Sequence, residues 1–265
     1  MRESVISEDQ SMFANYRAKT VVGIFVVLLL LGVGRAEDKP AKAKGGLDKL
    51  EGAWVRGSDV WIIRGDEIRA YYSPRGFASK IKSKIDLSKK PMQIDFDEGR
   101  GGLNVGIYQV KGDSFEYCVA DRTSRERINP RPTEFKNVEG VARLSTFERP
   151  ATAVGNGVAI RKTFLENAAL AEKTYARRMV KVTGKIESIR REAGSVVVLL
   201  TSKTTPLRFE FDDSDRDRLA KLKAGESVTI RGVCLGKSKI KGDSGDEAIL
   251  FVGGKIIEAR EGEPD

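Results

Sequence analysis

Two aspartates on one predicted strand are the first residues whose type and spacing could do chemistry. Asp95 and Asp97 stand two apart in the alternating run 93–97, and residues spaced in this way on a strand lie about 6.5–7 Å apart. That separation is close to the one between the two carboxyl groups of inverting glycosidases. Alternation, however, turns both side chains to the polar face of the strand, away from Ile94 and Phe96. Solvent exposure is therefore the favoured interpretation, and a carboxylate-based hydrolase is a distant alternative.

A second acidic run has the spacing of a calcium-binding loop at first inspection. Residues 212–217 read DDSDRD, with aspartates at alternate positions, but the loop pattern also needs a glycine and a distal glutamate. Acidic residues at the start of a helix are expected from capping and from the helix dipole. We therefore predict a short helix that opens here, with Ser214 as its N-cap and Asp217 at the capping-box position.

The residue types that the chain lacks exclude most catalytic mechanisms. It has no histidine and two cysteines, which removes Ser-His and Cys-His pairs as well as the commonest metal ligand. No set of carboxylates has the spacing of a zinc site. We therefore predict a protein that is not an enzyme and that has neither a cofactor nor a metal. Cys118 and Cys234 lie one in each half; two buried, unpaired thiols are expected, and a bridge between the halves is the alternative.

The N-terminal segment is typical of a secretion signal. Val21–Gly34 carries no charge over fourteen residues, which suits a signal peptide and is shorter than the ~20 residues of a membrane span. Arg17 and Lys19 precede this run, and small residues at its end provide a cleavage site. We predict a signal peptide over residues 1–36, a flexible linker over 37–46, and an exported protein that is periplasmic or secreted.

Two features of this leader stay open. An uncleaved N-terminal anchor is the alternative to cleavage, and that segment would then be the only membrane contact. Acidic residues before the apolar run, including Glu8 and Asp9, are unusual in a signal peptide. A start at Met12 would remove them, so we expect translation to begin there.

The first half is predicted to be a β domain over residues 47–149. It consists of short alternating runs separated by turn residues, a pattern typical of a sandwich or barrel. Four aromatic side chains are expected to face its interior: Trp54, Phe96, Phe115 and Tyr117. They either line a site for a small apolar ligand or fill a packed core, and packing is the favoured interpretation. The predicted strands are Val60–Arg64, Ile68–Tyr72, Gln93–Asp97, Val105–Lys111, Ser114–Ala120 and Val141–Glu148.

The second half is predicted to contain one helix, three strands, a short helix and two strands, the order of an OB-fold. Its first helix is expected over Lys162–Arg178, where apolar residues recur every three or four positions. We predict a linker at 150–160, the domain at 161–260 and a tail at 261–265. The predicted strands are Met179–Arg191, Val196–Thr201, Leu207–Asp212, Ser227–Leu235 and Ala248–Ala259.

The first half resembles a bacterial lipocalin-like domain family of unknown function that is found in exported proteins. The run 50–54 (LEGAW) contains the Gly-x-Trp that lipocalin-type barrels place on their first strand. Further matching segments follow in the expected order: 86–91 (DLSKKP), 94–95 (ID), 106–108 (GIY), 112–113 (GD) and 131–135 (RPTEF). The resemblance covers about residues 47–149 and implies a lipocalin-like β-barrel.

The second half is similar to a tRNA-anticodon-binding-like OB-fold family of exported bacterial proteins. The match is carried by Asn167, Ala168, Tyr175, 180–184 (VKVTG) and the Gly-x-Cys-x-Gly at 232–236 (GVCLG). It covers about residues 160–260 and implies a five-stranded barrel. The family's second cysteine near the last strand is replaced by Gly253-Gly254, which supports an unpaired Cys234. Neither resemblance implies an established activity.

The residue pattern of this OB-like half argues against nucleic-acid binding. Phe209 and Phe211 alternate with polar residues and are expected in the core, which leaves no aromatic platform for stacking bases. The basic residues that could line a groove are Lys181, Lys185, Arg190, Arg191, Lys203 and Arg208. Acids and bases alternate along most of the chain, which is typical of a solvated surface despite the net charge of +9.

Together these patterns predict an all-β protein with two helices in its C-terminal half. A lipocalin-like β-barrel or sandwich is followed by a five-stranded OB-fold barrel. The function predicted is that of an exported, non-catalytic binding or interaction protein of the cell envelope, with an unknown envelope protein as partner. A small apolar ligand carried by the first barrel is the alternative.

Overall fold

The structure, a computed structural model, describes residues 47–72, 77–97, 103–121, 129–192, 194–201, 205–239 and 247–260. It is mostly β, with 16% helix in four helices among these residues. The predicted signal peptide, the Met12 start, the first linker and the tail at 261–265 lie outside the described residues.

The first half forms a closed barrel of eight strands in which each strand pairs antiparallel with its neighbour in sequence. The barrel closes where Val55 of the first strand pairs with Glu148 of the last. A one-turn helix, α1 (Leu47–Leu50), precedes it and buries Leu50 in the barrel core. The strands are β1 (Gly52–Arg56), β2 (Asp59–Arg64), β3 (Glu67–Tyr72), β4 (Phe77–Asp86), β5 (Met92–Asp97), β6 (Leu103–Lys111), β7 (Ser114–Ala120) and β8 (Ala142–Glu148).

Six of these strands match those predicted from alternation; β1 was implied only by the resemblance, and β4 was not predicted. In β4 the lysines at 80, 82 and 84 are exposed and alternate with Ile81 and Ser83, which are buried. This is a period of two that predicts a strand. In β1 the pattern is short, and its buried residues Ala53 and Trp54 are adjacent in sequence, because the two faces of β1 are covered by different parts of the protein.

The Gly-x-Trp of β1 has a structural explanation in one arginine. Gly52 has φ +114°, a conformation that side chains rarely adopt, and a Cβ there would lie 2.5 Å from Nη1 of Arg149. That guanidinium lies 3.7 Å from the ring centre of Trp54. It also donates hydrogen bonds to the carbonyl oxygens of Glu51 and Lys49, at 2.8 and 2.7 Å. Glycine at position 52 thus leaves room for the arginine that covers the tryptophan.

Replacing Gly52 with alanine is expected to lower the free energy of unfolding by about 3 kcal/mol. The change strains the backbone and forces the Arg149 guanidinium away from its carbonyl partners and from Trp54. Gly57→Ala is the matched control, because Gly57 has φ +55° and nothing within 4 Å of a built Cβ. The control should lose only about 1 kcal/mol. Equal losses in urea titrations of the two variants would contradict this role of Arg149.

The second half is built around a closed barrel of five strands, β10 to β14. A short strand, β9, pairs parallel with β10 and forms the edge of the sheet. The elements are β9 (Thr152–Val154), α2 (Gly157–Glu166), α3 (Ala168–Tyr175), β10 (Met179–Glu192), β11 (Ser195–Leu200), β12 (Leu207–Asp212), α4 (Arg216–Leu219), β13 (Ser227–Lys239) and β14 (Glu247–Arg260). The predicted fold class is confirmed in both halves.

Two local predictions in the second half are wrong. The single helix over Lys162–Arg178 is two helices, because Asn167 ends α2 with φ −149° and its side chain then accepts a hydrogen bond from the N–H of Leu170 to begin α3. Ser214 does not cap a helix: Asp213–Asp215 form a 3-10 turn, and α4 begins at Arg216 without a side-chain cap. The segment predicted as a linker at 150–160 contains β9 and the first residues of α2.

The Gly-x-Cys-x-Gly of β13 follows from close packing on both sides of the strand. A Cβ at Gly232 would lie 3.2 Å from the carbonyl oxygen of Val252 and 3.3 Å from Cβ of Phe251. Gly236 has φ +93°, and its missing side chain makes room for the carboxylate of Glu172. Between the two glycines, Cys234 is fully buried in the barrel core.

Candidate functional site

The four aromatic residues predicted for a ligand site lie together inside the first barrel. Trp54, Phe96, Phe115 and Tyr117 are all at most 8% exposed and belong to one core cluster. Ring centres are 5.4 Å apart for Trp54 and Phe115, 6.1 Å for Phe115 and Tyr117, and 5.8 Å for Phe96 and Tyr117. At these separations the rings are in direct contact.

A second tryptophan, which sequence pattern did not single out, lies at the centre of this cluster. The Trp61 ring contacts those of Phe96, Phe115, Tyr117 and Phe147, at centroid distances from 4.6 to 6.4 Å. Four consecutive residues of β2 are buried, so period-two alternation, the signal that assigns a residue to one face, is absent there. The sequence pattern therefore did not show that the Trp61 side chain faces the barrel interior.

Two polar atoms inside the first barrel have no hydrogen-bond partner among the described residues. They are Nε1 of Trp61 and the hydroxyl oxygen of Tyr108. Burial raises the pKa of Tyr108 to about 12, so its hydroxyl stays protonated at neutral pH. An unpartnered buried donor is unusual in proteins.

The outer face of β2 is buried because the two barrels pack against each other there. One apolar cluster, which we call the inter-barrel core, joins Ala53, Val60, Ile62 and Tyr71 of the first barrel to Val233, Leu235, Leu250 and Val252 of the second. All eight are at most 7% exposed. A Cβ at Gly253 would lie 2.8 Å from Cδ1 of Ile62, so glycine at 253 permits this approach. The two barrels belong to one compact unit.

An ion-pair network borders the inter-barrel core. Asp212, at the end of β12, pairs with Arg64 at 2.8 Å and with Arg69 at 2.7 Å. Arg64 also pairs with Asp215 at 2.8 Å. Burial alone would lower the pKa of Arg69, but its hydrogen bond to Glu67 and the charge of Asp212 outweigh it and raise that pKa. Two aspartates of the acidic run at 212–217 therefore bind arginines of the other barrel.

The outer surface of β12 carries further charges that are satisfied within the protein. Arg208 contacts both Glu192 oxygens, at 3.1 and 2.8 Å, and Glu210 at 3.2 Å. Burial raises the pKa of Glu210, although Arg208 acts in the opposite direction. Arg69 reaches the neighbouring β10–β11 turn, where it donates to the carbonyl oxygen of Gly194 at 3.4 Å. Arg208, one of the residues of the predicted basic groove, is thus neutralised by its neighbours.

The two phenylalanines of β12 lie in the core of the second barrel. Phe209 and Phe211 are 0% and 1% exposed, and Phe209 stacks on Phe251 with ring centres 4.4 Å apart. Of the other basic residues that could line a groove, Lys181, Lys185, Arg190 and Arg191 are exposed along β10. Lys203 lies outside the described residues.

Of the two aspartates of β5, Asp97 is exposed as expected, whereas Asp95 is only partly exposed. Asp95 is held by Arg131, whose Nη2 donates to Oδ2 at 2.9 Å and whose Nη1 contacts Oδ1 at 2.5 Å. The same guanidinium donates to the carbonyl oxygen of Gly106 at 2.6 Å. Arg131 belongs to the segment 131–135 (RPTEF), which is part of the first resemblance. Its hydrogen bonds to Asp95 and Gly106 hold this segment against the barrel wall.

Both cysteines are free and buried, one in each barrel. Burial raises the pKa of Cys234 to about 12 and also raises that of Cys118, whose thiol donates to the carbonyl oxygen of Lys136 at 3.4 Å. Both thiols are therefore poor nucleophiles at neutral pH. Among the described residues, no group of three or more histidine, cysteine, aspartate or glutamate side chains is placed to hold a metal.

A cleft opens beside the inter-barrel core and has a volume of about 350 Å³. The first barrel contributes apolar atoms of Ala53, Ile62 and Ile63, and the second contributes Met179 and Gly253. Charged residues stand around this floor: Glu51, Arg64, Asp215, Arg231 and Lys255. No predicted site residue lines the cleft, because residues distant in sequence form it only once the barrels pack.

Comparison with known protein families gives a match that spans the end of the first half and most of the second. Residues 137–242 match the tRNA_anti-like family. The predicted OB-fold resemblance is thereby confirmed for this part of the chain. The tRNA_anti-like match begins before β8, the last strand of the first barrel, and ends before β14. A comparison with curated proteins gives no match.

The chain is distantly similar to several solved structures. The Schizosaccharomyces pombe Stn1-ten1 complex is 15% identical with a TM-score of 0.22, over 30% of this chain and 58% of that one. The aspartyl tRNA synthetase of Entamoeba histolytica is 13% identical with a TM-score of 0.24, over 34% and 20%. Its asparaginyl-tRNA synthetase, in complex with asparaginyl-adenylate, is 14% identical with a TM-score of 0.25, over 42% and 24%. The chain thus spans less than two thirds of each.

The described part of the chain contains no helix with the length and apolar character needed to cross a membrane.

Proposed function

We propose that this chain is an exported, non-catalytic binding protein of the cell envelope, whose two barrels act as one interaction unit. The observation that carries the proposal is the inter-barrel core with its ion-pair network. Apolar residues from five strands and partly buried charges fix one barrel on the other. A fixed arrangement of this kind is expected where a binding surface is shared by two domains.

The state of the acidic residues supports a non-catalytic role. A general acid or base must be free to exchange a proton with a substrate. Asp95 is engaged by Arg131, and Asp212 and Asp215 are engaged by Arg64. With no histidine in the chain and both thiols buried, binding accounts for these residues better than catalysis does.

The surroundings of β12 argue against nucleic acid as the partner. OB-folds commonly bind oligonucleotides on their second and third strands and the loop between the first two. In this chain Arg69 contacts Asp212 on the third strand and Gly194 in that loop. Arg208 on the same strand is paired with Glu192 and Glu210. The surface is therefore partly occupied by the first barrel and carries little free positive charge.

A lipocalin-like identity for the first barrel belongs to this proposal. The closed, up-and-down barrel of eight strands is compatible with it. One observation favours the second candidate function, a carrier of a small ligand in this barrel: the unpartnered Nε1 of Trp61 and hydroxyl of Tyr108. The contacting rings around Trp61 favour a packed interior instead.

Native mass spectrometry of the protein purified from its own envelope fraction tests the proposal. We expect recovery from that fraction, no small molecule held inside the first barrel, and a second envelope protein retained after mild cross-linking. An added mass of small-molecule size that is lost when Phe115, inside the first barrel, is changed to alanine with the fold intact would favour the carrier over the interaction unit. Hydrolysis of a glycan panel that disappears in Asp95→Asn would contradict the non-catalytic role, and recovery from the cytoplasm would contradict export.

A further inference from the structure

The cleft between the barrels has an excess of free positive charge. Of its two acidic residues, Asp215 is paired with Arg64 at 2.8 Å, and Glu51 accepts a hydrogen bond from the N–H of Gly65 at 3.0 Å. Arg231 and Lys255 are exposed and form no ion pair with any described residue. Both acidic side chains thus have a partner within the protein, whereas the two cations have no ion-pair partner among the described residues.

These two cations are also neighbours across strands, together with a third. Arg231 of β13 stands directly opposite Lys255 of β14, and on its other side opposite Lys181 of β10. Residues directly opposite in antiparallel strands have Cβ atoms about 4.5–5.5 Å apart, and like charges in such pairs are destabilising. A row of three cations that form no ion pair with any described residue costs stability, which a bound anion would recover.

The floor of the cleft is apolar directly beside this row. Ile62 and Met179 line it, and Gly253 contributes no side chain. A volume of about 350 Å³ is within the range of small-molecule sites, which often lie between domains and combine apolar walls with a few charged groups. The chemistry of the walls fits a molecule with an anionic head and a short apolar body.

We propose that the cleft between the two barrels binds a small amphipathic anion, with Arg231 and Lys255 holding its phosphate or carboxylate head. The apolar body lies against Ile62 and Met179. This site deepens the proposed function, on which it rests, because its walls come from both barrels. The proposal thus specifies the kind of ligand, a small amphipathic anion, that one surface of the interaction unit binds.

Calorimetric titration of the full chain with octyl phosphate tests this site. We expect binding at one site per chain, weakened at least about tenfold in Arg231→Gln/Lys255→Gln, since two charge-assisted contacts are lost. Lys221→Gln/Lys223→Gln is the matched control: it removes the same charge from an exposed segment outside the cleft and should bind like the unchanged protein. Octanoate titrated in parallel distinguishes a carboxylate head from a phosphate head.

Two further measurements keep the proposal falsifiable. Inorganic phosphate should bind at least about tenfold more weakly than octyl phosphate, because it lacks the apolar body. The cleft variant should melt at the same or a higher temperature, because its like-charge repulsion is removed. Equal binding by the two double variants, equal binding of the neutral octyl glucoside, or the absence of octyl phosphate and octanoate binding would overturn the site. None of these results would change recovery of an envelope partner, so failure of the site is distinguishable from failure of the proposed function.

Discussion

Replacing Ile62 with aspartate should lower the free energy of unfolding by about 3–4 kcal/mol. Ile62 is 4% exposed and packs in the inter-barrel core. Aspartate at this place loses the apolar contacts and puts a desolvated carboxylate into the apolar contact between the barrels, beside Gly253. The protein responds either by separating the barrels or by protonating the new carboxyl, and both cost free energy.

The matched control for this substitution is Ile257→Asp. Ile257 lies on β14 and is 37% exposed, so the same chemical change there should alter the free energy of unfolding by less than about 0.5–1 kcal/mol. Urea titrations followed by far-ultraviolet circular dichroism compare the two variants. Equal stability of Ile62→Asp and Ile257→Asp would mean that the outer face of β2 is not buried by the second barrel.

Asp212→Ala should also be strongly destabilising, with a loss of about 2–3 kcal/mol at neutral pH. The substitution leaves Arg69, whose side chain is 11% exposed, without its acidic partner on the second barrel, so that Glu67 is its remaining ion-pair partner. Removing one member of a buried ion pair costs more than the pair contributes, because a desolvated charge remains. Arg64 keeps its contact with Asp215 and is 34% exposed, so it adds little to the loss.

The adjacent residue provides the control for Asp212. Asp213 is 45% exposed and has a long contact of 3.5 Å with Arg191, so Asp213→Ala should change stability by less than about 0.5 kcal/mol. Thermal melts at low and high salt compare the two variants. If Asp212→Ala and Asp213→Ala melt at the same temperature, the acidic run has only the local, helix-initiating role that its sequence suggests.

Sequence pattern predicted most strands of this fold because most of them have one buried face. Gln93 to Asp97 alternate as expected, with Ile94 and Phe96 buried. The same logic fails at β2, where Val60 and Ile62 face the second barrel while Trp61 and Ile63 face the interior of the first. A strand that is buried on both faces shows no alternation. Its sequence therefore indicates that the strand is buried but does not identify the part of the protein that covers each face.

The acidic run at 212–217 illustrates a different limit. Capping is a local interaction, and the spacing of Ser214 and Asp217 satisfied its rules. The partners that Asp212 and Asp215 have in the structure are about 150 residues away in the chain. Local rules cannot identify such partners, and the cleft lined by Arg231 and Lys255 was missed for the same reason.

The central claim, that the two barrels are one unit, can be tested by following the unfolding of the first barrel separately. Both tryptophans of the chain, Trp54 and Trp61, lie in the first barrel, whereas far-ultraviolet circular dichroism reports on both. In urea titrations of the full chain, we predict that tryptophan fluorescence and circular dichroism give one coincident transition with the same midpoint. Two separated transitions, with fluorescence changing at one of them only, would contradict the claim.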